Sequence, residues 1–435
     1  MSTTVRRRDP GSPPVAELLS QGDEVVTGQI ADTNAAWLAT RLTELGFHVS
    51  RHTTVGDRRD DLVAALGEIA GRADLCVGTG GLGPTEDDLT AECVATAFDR
   101  PLAMDADAMA QIEAMYARMS RRMPEVNRKQ ALLPRGSLRV DNSWGTAPGF
   151  AVDQQGCLFA FLPGVPREMK PMFDQRVLPL LHERFGLRPG RLVTLRTTGA
   201  GESDLQERIG TFAADDVVLG YRTISPENQI KLRFTADASD DRVRSVTARI
   251  AGLLGSPVFT IEGGGDIDGF DCAGGPVAEV VGRALVARGA TLALAESCTG
   301  GRIASLCTEI PGSSAWLLEG MVTYSNAAKV RQLGVSQATL DAHGAVSEPV
   351  AREMAQGCRE RSGATYGLSV TGVAGPGGGS PEKPVGTVHL ALATPDETFH
   401  RQLRLGGDRL RIQSWSAGAA LDLVRRHLQG HVVTP

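Results

Sequence analysis

The chain has 435 residues, 42% of them hydrophobic and 22% charged, which excludes a disordered protein and a disulfide-stabilised scaffold. At roughly 150 residues per domain, this length predicts about 2.9 domains. A net charge of −6 argues against a protein that binds nucleic acid over its whole surface, because neutralising phosphates requires a basic surface. Seven cysteines without a Cys-x-x-Cys pair favour reduced thiols and a cytoplasmic location. No apolar stretch approaches the ~20 residues that a membrane span needs.

Patterns along the chain predict five segments. Short apolar runs alternate with helical periodicity in the first 175 residues and again near the C-terminus, which is typical of α/β domains with parallel sheets. From about residue 191, period-two strands and two helical stretches indicate a small α+β subdomain. We therefore predict a disordered tail (1–14), a three-layer α/β domain (15–175), an α+β subdomain (176–262), a flexible glycine-rich linker (263–276) and a second three-layer α/β domain (277–435).

A glycine-rich loop begins at Gly78, directly after a predicted strand. Gly78, Gly80 and Gly83 match the G-x-G-x-x-G dinucleotide fingerprint. The match is weak because Asp87 and Asp88 follow, and carboxylates repel a phosphate unless a hard cation such as Mg²⁺ lies between them. The loop therefore indicates either a phosphate site that uses a metal ion or a capped turn whose acidic residues favour a helix N-terminus.

Two further polar loops follow predicted strands, at residues 22–34 and 163–168. Each fits an ordinary strand-to-helix turn, with proline or acidic residues in the first helical turn. Taken together, they place several polar loops at strand ends, which is where open α/β sheets bind ligands.

A second glycine-containing turn, at residues 295–302, also joins a predicted strand to a helix. Ser297 in this turn is a candidate nucleophile, because the turn exposes its hydroxyl and the N–H groups that follow can stabilise an oxyanion. The alternative is that Ser297 or Thr299 only caps the helix. Cys298 is a competing nucleophile, although no histidine in the motif is placed to activate it.

Tyr324 and Lys329 lie five residues apart, across a predicted strand-to-helix junction. A lysine can serve as the base for a serine once desolvation or nearby positive charge lowers its pKa, whereas such a pair is otherwise a surface feature. The glycine-rich stretch 371–379 is a candidate lid over a bound nucleotide. Arg409, just before the last predicted helix, offers a fixed cation for a phosphate or an oxyanion.

Several long motifs in the same order make the chain resemble the competence/damage-inducible CinA family across nearly its whole length. They are residues 79–90, 142–149 and 162–169 in the first domain and residues 295–301, 322–326 and 372–376 in the last. The resemblance implies a molybdopterin-binding-like first domain, a KH-like subdomain and a nicotinamide-nucleotide amidohydrolase as the last domain.

The resemblance also implies two hydrolytic activities in pyridine-nucleotide salvage. The last domain would deamidate nicotinamide mononucleotide to nicotinic acid mononucleotide and ammonia without a cofactor. The first domain would hydrolyse ADP-ribose to AMP and ribose 5-phosphate with a divalent metal (Mg, Mn or Co). The implied catalytic residues are Ser297, Tyr324, Lys329 and Arg409, with Arg411 left open as the alternative to Arg409. The implied metal ligands are Asp87 and Asp88. The implied nucleotide-binding residues are Asp23, Asn34, Gly80, Gly81, Gly83, Gly164, Thr299, Gly300, Gly301, Gly372 and Gly375.

Two features qualify the resemblance. Gln21 stands where the family usually shows a small or apolar residue, which affects the expected geometry of the first pocket. Glu202 and Asp204 lie where a KH domain would clamp a nucleic-acid backbone, so we expect a structural or oligomerising role there instead of nucleic-acid binding. We expect a homodimer that does not contact membranes. The alternative is a non-catalytic regulatory protein of competence or recombination that docks on a recombinase.

Overall fold

A computed structural model describes residues 13–187, 189–212 and 216–431. The chain divides into two compact units, Met1–Gly190 and Arg191–Pro435. The predicted disordered tail falls almost entirely outside the described residues. Within the described ranges, no helix is both long and apolar enough to cross a membrane.

The first unit alternates strands and helices, as the sequence predicts. Its strands are β1 (Val15–Gln21), β2 (His48–Val55), β3 (Leu75–Thr79), β4 (Leu102–Met104), β5 (Leu132–Pro134), β6 (Leu138–Val140), β7 (Gly149–Gln154) and β8 (Cys157–Leu162). Its helices are α1 (Asp23–Val26), α2 (Thr33–Glu44), α3 (Arg59–Ala70), α4 (Thr90–Ala97), α5 (Ala106–Arg118), α6 (Pro166–Met172) and α7 (Leu178–Phe185). A 3-10 segment covers Glu125–Ala131, and a π-helical turn, Phe173–Val177, joins α6 to α7.

A six-stranded sheet in the order β2-β1-β3-β8-β7-β6 forms the centre of this unit. The first four of these strands are parallel. Strand β7 pairs antiparallel with β8, and β6 pairs antiparallel with β7. Every residue of β3 is buried because α2, α6 and α7 cover one face of the sheet while α3 and α4 cover the other. The predicted three-layer α/β arrangement is therefore confirmed.

The first unit extends beyond the predicted boundary at residue 175. Leu181 of α7 is fully buried in the same core as Leu38 of α2 and Leu18 of β1. Because helical periodicity does not reveal which sheet a helix packs against, the predicted subdomain start at residue 176 is wrong. The second unit begins at Arg191, with its first strand.

The second unit contains two sheets. Its strands are β9 (Arg191–Thr197), β10 (Val217–Ile224), β11 (Glu227–Phe234), β12 (Val258–Glu262), β13 (Leu292–Glu296), β14 (Leu317–Val322), β15 (Tyr366–Gly372), β16 (Thr387–Ala393) and β17 (Thr398–Arg404). Its helices are α8 (Glu202–Ile209), α9 (Asp240–Leu254), α10 (Val277–Val286), α11 (Arg302–Thr308), α12 (Asn326–Ala328), α13 (Gln337–His343), α14 (Glu348–Ser362) and α15 (Arg409–Leu428). A 3-10 turn covers Ser313–Ala315, and a π-helical turn, Lys329–Leu333, follows α12.

The smaller sheet, which we call the middle sheet, has the antiparallel order β10-β11-β9-β12. Alternate residues such as Val193, Leu195 and Ile230 point into a core shared with α8 and α9. This is the small α+β arrangement that the period-two pattern predicts. Its likeness to a KH domain stays a prediction.

Residues 263–276 are packed against the middle sheet, so the predicted flexible linker is wrong. Ile267 is 6% exposed, and the Asp271 carbonyl accepts a hydrogen bond from the Ile261 N–H at 2.8 Å. A Cβ on Gly263 would lie 2.4 Å from the Leu192 carbonyl oxygen. Here glycine permits close packing of the backbone, which composition alone cannot distinguish from flexibility.

The larger sheet of the second unit has the order β14-β13-β15-β16-β17, with β14, β13 and β15 parallel. Helices α10, α11 and α15 cover one face, and α13 and α14 cover the other. The long helix α15 also contacts the turn between α9 and β12, next to the middle sheet. Arg425 of α15 is 0% exposed and donates to the Ser256 carbonyl in this turn at 2.7 Å, and to Asp422 of its own helix at 2.6 Å. This shared helix explains why both sheets belong to one compact unit.

Candidate functional site

The carboxyl ends of β13, β14 and β15 lie at one edge of the larger sheet, because these strands are parallel. The turn after β13 carries Ser297, and the segment after β14 carries Tyr324 and Lys329. The loop after β15 carries Gly375. The fold thus brings three segments that are distant in sequence to one place, which we call the serine site.

Ser297 and Lys329 form a buried pair at the centre of this site. Lys329 Nζ lies 3.0 Å from Ser297 Oγ and 2.8 Å from the Thr323 carbonyl oxygen. Lys329 is 1% exposed, and burial lowers the pKa of its ammonium group below the usual value. Both of its hydrogen-bond acceptors are neutral oxygens, and no carboxylate among the described residues is hydrogen-bonded to it. The pair has the geometry of a nucleophile and its general base.

Neither Ser297 nor Thr299 caps the helix that follows, so the alternative structural role for these two residues is wrong. The N-cap of α11 is Gly301, which has no side chain to accept a hydrogen bond from the helix. The buried Glu296 carboxylate instead accepts hydrogen bonds from the N–H groups of Gly301, Ile303 and Ala304, at 3.0, 3.1 and 2.8 Å. Because Glu296 binds the helix N-terminus, the Ser297 hydroxyl is left for Lys329.

Cys298, the rival nucleophile, lies in an unsuitable environment. Burial raises the pKa of its thiol to about 12, and the side chain is 5% exposed. Since the thiolate is the nucleophilic form of cysteine, this site disfavours Cys298.

Tyr324 and Arg409 form a second cluster at the exposed side of the serine site. The Arg409 guanidinium donates to Tyr324 Oη at 2.8 Å and to the Gly375 carbonyl at 2.7 Å. The backbone N–H of Arg411 instead binds the Asp408 carboxylate at 2.8 Å, and the Arg411 side chain packs over Gly407. The structure therefore brings Arg409, and not Arg411, to Tyr324.

The predicted nucleotide-binding residues of the serine site have distinct backbone roles. Gly300 and Gly301 adopt positive φ angles of 64° and 95°, which bring the chain from β13 into α11. A Cβ on Gly372 would lie 2.8 Å from the Thr387 carbonyl oxygen. The Thr299 hydroxyl is buried and has no hydrogen-bond partner among the described residues.

Sequence reasoning missed three groups at the serine site. The Glu296 carboxylate and the Thr323 carbonyl act as described above, and Gln413 of α15 donates to the Cys298 carbonyl at 2.8 Å. Glu296 directly precedes the nucleophile candidate, so its position at a strand end was a signal that could have been used. Gln413 carries no such signal, because it lies 115 residues from its partner.

The first unit has a cleft of about 610 Å³ at the carboxyl ends of β1, β3 and β8, which we call the glycine cleft. It is lined by Gln21, Gly22, Glu24, Asp57, Gly80, Gly81, Leu82, Gly83, Pro84, Asp87, Asp88, Gln130, Thr146, Ala147, Pro163, Gly164, Val165, Pro166 and Glu168. The predicted polar loops therefore do meet at one edge of the sheet.

Asp23 and Asn34 are held by specific partners near this cleft. The Asp23 N–H donates to Asp57 Oδ2, and the Asp57 N–H donates to Asp23 Oδ1, both at 3.1 Å. Asn34 donates to the Gly164 carbonyl at 2.6 Å. Asn34 Oδ1 is buried and has no partner in the described part of the chain.

Asp87 and Asp88, the predicted metal ligands, differ in their surroundings. Asp88 Oδ2 accepts from the N–H and the hydroxyl of Thr85, at 2.8 and 2.5 Å. The Asp87 side chain is exposed and has no hydrogen-bond partner among the described residues. Helix α4 begins at Thr90 without a side-chain cap, so neither carboxylate caps it. Within residues 13–187, 189–212 and 216–431, no group of three or more His, Cys, Asp or Glu side chains is placed to hold a metal ion.

Asn142 and Glu168 are functional candidates that sequence reasoning did not single out. The Asn142 side chain is fully buried, donates to Glu168 and to the Ala147 carbonyl, and accepts from the N–H of Gly145. These bonds fix the loop that carries Ala147 into the wall of the glycine cleft. Both residues lie inside the quoted motifs, which was the available signal.

Comparison with known proteins matches both units. The family model for the "CinA C-terminal domain" matches residues 275–428, and that for the "Probable molybdopterin binding domain" matches residues 17–183. A "CinA-like protein" of Anaeromyxobacter dehalogenans is 44% identical over 416 residues, covering 95% of this chain and 99% of that protein. A "CinA-like protein" of Shewanella woodyi is 42% identical and covers 96% of each chain. A crystal structure of a "competence/damage inducible protein" from Agrobacterium tumefaciens is 43% identical over 35% of this chain and 96% of its own, with a TM-score of 0.33.

Proposed function

The chain belongs to the CinA family, and on that premise we propose that its last domain hydrolyses the carboxamide of nicotinamide mononucleotide to a carboxylate and ammonia. The observation that carries this proposal is the 3.0 Å contact between Lys329 Nζ and Ser297 Oγ in a buried site. A buried lysine without a counter-ion costs free energy unless it is neutral, and a neutral lysine is what a serine nucleophile requires.

In the proposed reaction, Lys329 accepts the proton of the Ser297 hydroxyl while Ser297 Oγ attacks the carboxamide carbon. The C–N bond then breaks, the nitrogen leaves as ammonia with the proton from Lys329, and an ester on Ser297 remains. Water adds to the ester with Lys329 again as the base, which releases the carboxylate and restores Ser297.

Tyr324 and Arg409 act at the nucleotide side of the same site. Because Tyr324 Oη accepts from Arg409, its own proton is free to be donated to the substrate. Arg409 is held by the Gly375 carbonyl, so its remaining N–H donors can bind the phosphate without a large loss of side-chain entropy.

The decisive experiment is ammonia release from nicotinamide mononucleotide by the full chain. We expect activity in the wild type, a loss of about 10⁴-fold or more in Ser297→Ala, and little change in Cys298→Ala. Activity that survives in Ser297→Ala would refute the covalent mechanism. A wild type that releases no ammonia would refute the amidase function and favour the non-catalytic role in competence or recombination.

We propose a second activity for the first unit, the hydrolysis of the pyrophosphate of ADP-ribose. Support comes from the glycine cleft, where Gly80 and Gly81 adopt positive φ angles of 98° and 65° and let the backbone approach a ligand closely. The exposed Asp87 carboxylate lines this cleft, and Mg²⁺ in phosphate sites is commonly held by one or two carboxylates together with the phosphates of the substrate. A divalent ion that arrives on the nucleotide fits these residues better than a resident ion does, because no three ligands of the described chain converge.

The test is AMP formation from ADP-ribose with added Mg²⁺ or Mn²⁺. We expect Asp87→Asn to lower the rate by about tenfold or more, since it removes the free carboxylate but keeps the side-chain shape. Asp60→Asn, at an exposed position of the same unit, is the matched control and should leave the rate unchanged. Equal rates in both variants would remove Asp87 from the site.

A further inference from the structure

Gln21 is a buried side chain, 7% exposed, at the carboxyl end of β1. Its Nε2 donates to Asp57 Oδ1 at 2.9 Å and to the Asp87 carbonyl at 3.2 Å, while its Oε1 accepts from the Thr90 hydroxyl at 2.5 Å. Asp57 follows β2, and Asp87 and Thr90 follow β3. One carboxamide therefore ties together the ends of three parallel strands at the glycine cleft.

Packing fixes the orientation of this carboxamide. A Cβ on Gly81 would lie 2.2 Å from Gln21 Oε1, so the oxygen occupies space that only a glycine leaves open. The Thr90 hydroxyl also donates to the Gly80 carbonyl at 2.9 Å, so it can give its proton to only one acceptor at a time. The nitrogen end faces Asp57 and the Asp87 carbonyl because both are acceptors, which an amide oxygen could not bind.

The two acceptors of Nε2, a carboxylate and a backbone carbonyl, are ligand types that a divalent cation takes in proteins. Here the Asp57 carboxylate and the Asp87 carbonyl both accept hydrogen bonds from the Gln21 amide. The second Asp57 oxygen accepts a hydrogen bond from the Asp23 N–H. We propose that the Gln21 carboxamide takes the place of a cation, so that the free glycine cleft has no resident divalent ion. A consequence, which rests on the proposed ADP-ribose hydrolysis, is that the ion enters bound to the nucleotide.

Titration of the full chain with MnCl₂ alone tests the first statement, with free Mn²⁺ measured by electron paramagnetic resonance. We expect weak binding by the wild type. Gln21→Glu should bind Mn²⁺ at least tenfold more tightly, because it sets a second carboxylate beside Asp57 and the Asp87 carbonyl. Gln175→Glu adds the same charge at an exposed position of the same unit and should behave as the wild type. Equal affinities for all three proteins would overturn the proposal, as would tight Mn²⁺ binding by the wild type that is lost in Asp57→Asn.

Gln21→Met keeps the test decisive if the glutamate variant does not fold. Methionine has a similar length but no amide donor, so Asp57 loses its neutralising partner and Mn²⁺ affinity should rise above that of the wild type. If Gln21→Met binds Mn²⁺ no better than the wild type, the amide does not act in place of a cation.

A second titration, with ADP-ribose present, addresses the entry of the ion. We expect the nucleotide to raise the apparent Mn²⁺ affinity of the wild type at least tenfold and that of Gln21→Glu much less. No effect of the nucleotide would refute entry with the substrate. The titration with MnCl₂ alone contains no nucleotide and involves no turnover, so failure of this inference and failure of the proposed hydrolase activity give different results.

Discussion

The serine site and the glycine cleft are both built at the carboxyl ends of parallel strands, yet their reactive groups are arranged differently. In the serine site, Lys329 and Ser297 are buried and already in contact at 3.0 Å. In the glycine cleft, the Asp57 and Asp88 carboxylates accept hydrogen bonds from neighbouring protein groups, and the exposed Asp87 side chain has no partner in the described part of the chain. The first site is preorganised for a bond-making step, whereas the second needs its ligand to complete it.

This difference follows from the charge of the groups involved. A neutral lysine and a hydroxyl can be buried together at modest cost because each satisfies the other. Several carboxylates cannot be buried together without donors or cations, so the first unit uses N–H groups of its own loops and an open cleft. The contrast predicts that substitutions in the serine site act mainly on the chemical step, and that substitutions in the glycine cleft act mainly on ligand and ion binding.

After Ser297→Ala, the largest effect expected is from Lys329→Met, which replaces the base by an apolar side chain of similar length. Amidase turnover should fall by about 10²–10⁴-fold, while ADP-ribose hydrolysis by the same protein should not change. In the wild type, turnover should rise with pH as Lys329 loses its proton, and this limb should lie below the usual lysine pKa because burial lowers it. A limb at or above the usual pKa would show that Lys329 is charged in the working site.

A smaller effect should separate the two candidate arginines. Arg409→Ala removes the donor to Tyr324 and to the Gly375 carbonyl, so amidase efficiency should fall by about 10–100-fold, mainly through KM if the guanidinium binds the phosphate. Arg411→Ala, two residues away on the same helix, should stay within about twofold of the wild type. A larger loss of amidase efficiency in Arg411→Ala than in Arg409→Ala would show that Arg411 is the functional arginine.

The smallest effect concerns stability: we expect the second unit to lose stability at acidic pH before the first unit does. His389 Nδ1 and His400 Nε2 lie 3.0 Å apart on neighbouring strands of the larger sheet, with Glu348 beside His400. Burial first, and then the neighbouring His400, lowers the pKa of His389 to about 4, with Lys383 and Arg404 acting in the same direction and Glu348 against it. The unfolded chain therefore binds the proton more tightly, so stability should be full above about pH 6.5 and decline as the pH falls towards 4.

Hydrogen exchange followed by mass spectrometry can resolve this loss for each unit. As the pH is lowered from about 6.5 to about 4, peptides of β16 and β17 should lose protection from exchange at a higher pH than peptides of the first unit. His389→Gln should reduce the pH dependence, whereas His182→Gln, at an exposed position of the first unit, should not. Equal acid sensitivity of both units in all three proteins would contradict the role of the histidine pair.

Local patterns predicted most of the fold. The strand at β8, the helix at α15 and the alternation along β9 form where their apolar periods place them, because burial of one face or both is a local property of the sequence. The errors have a common cause. Helix α7 joins the first core, and residues 263–276 pack on the middle sheet, through contacts that no local window contains.

The candidate sites show the same division. Placing Ser297, Lys329 and Asp87 at strand ends needed only the order of patterns along the chain. The sequence named Lys329 as a candidate base for a serine, but the contact between Lys329 and Ser297, 32 residues apart, and the binding of Glu296 to the helix N-terminus depend on the fold. Nor could spacing say whether Tyr324 meets Arg409 or Arg411, because the answer depends on how α15 packs against the sheet.

The sequence by itself determined which residues stand at the carboxyl ends of parallel strands, since strand length, turn residues and apolar period are encoded locally. Only the tertiary structure decided which of them meet, which carboxylates are already satisfied and which lysine is desolvated. Hydrogen bonds and burial depend on groups tens of residues apart, such as Gln21 with Asp57 and Asp87. The chemical state of each group is set by those neighbours, and not by its place in the chain.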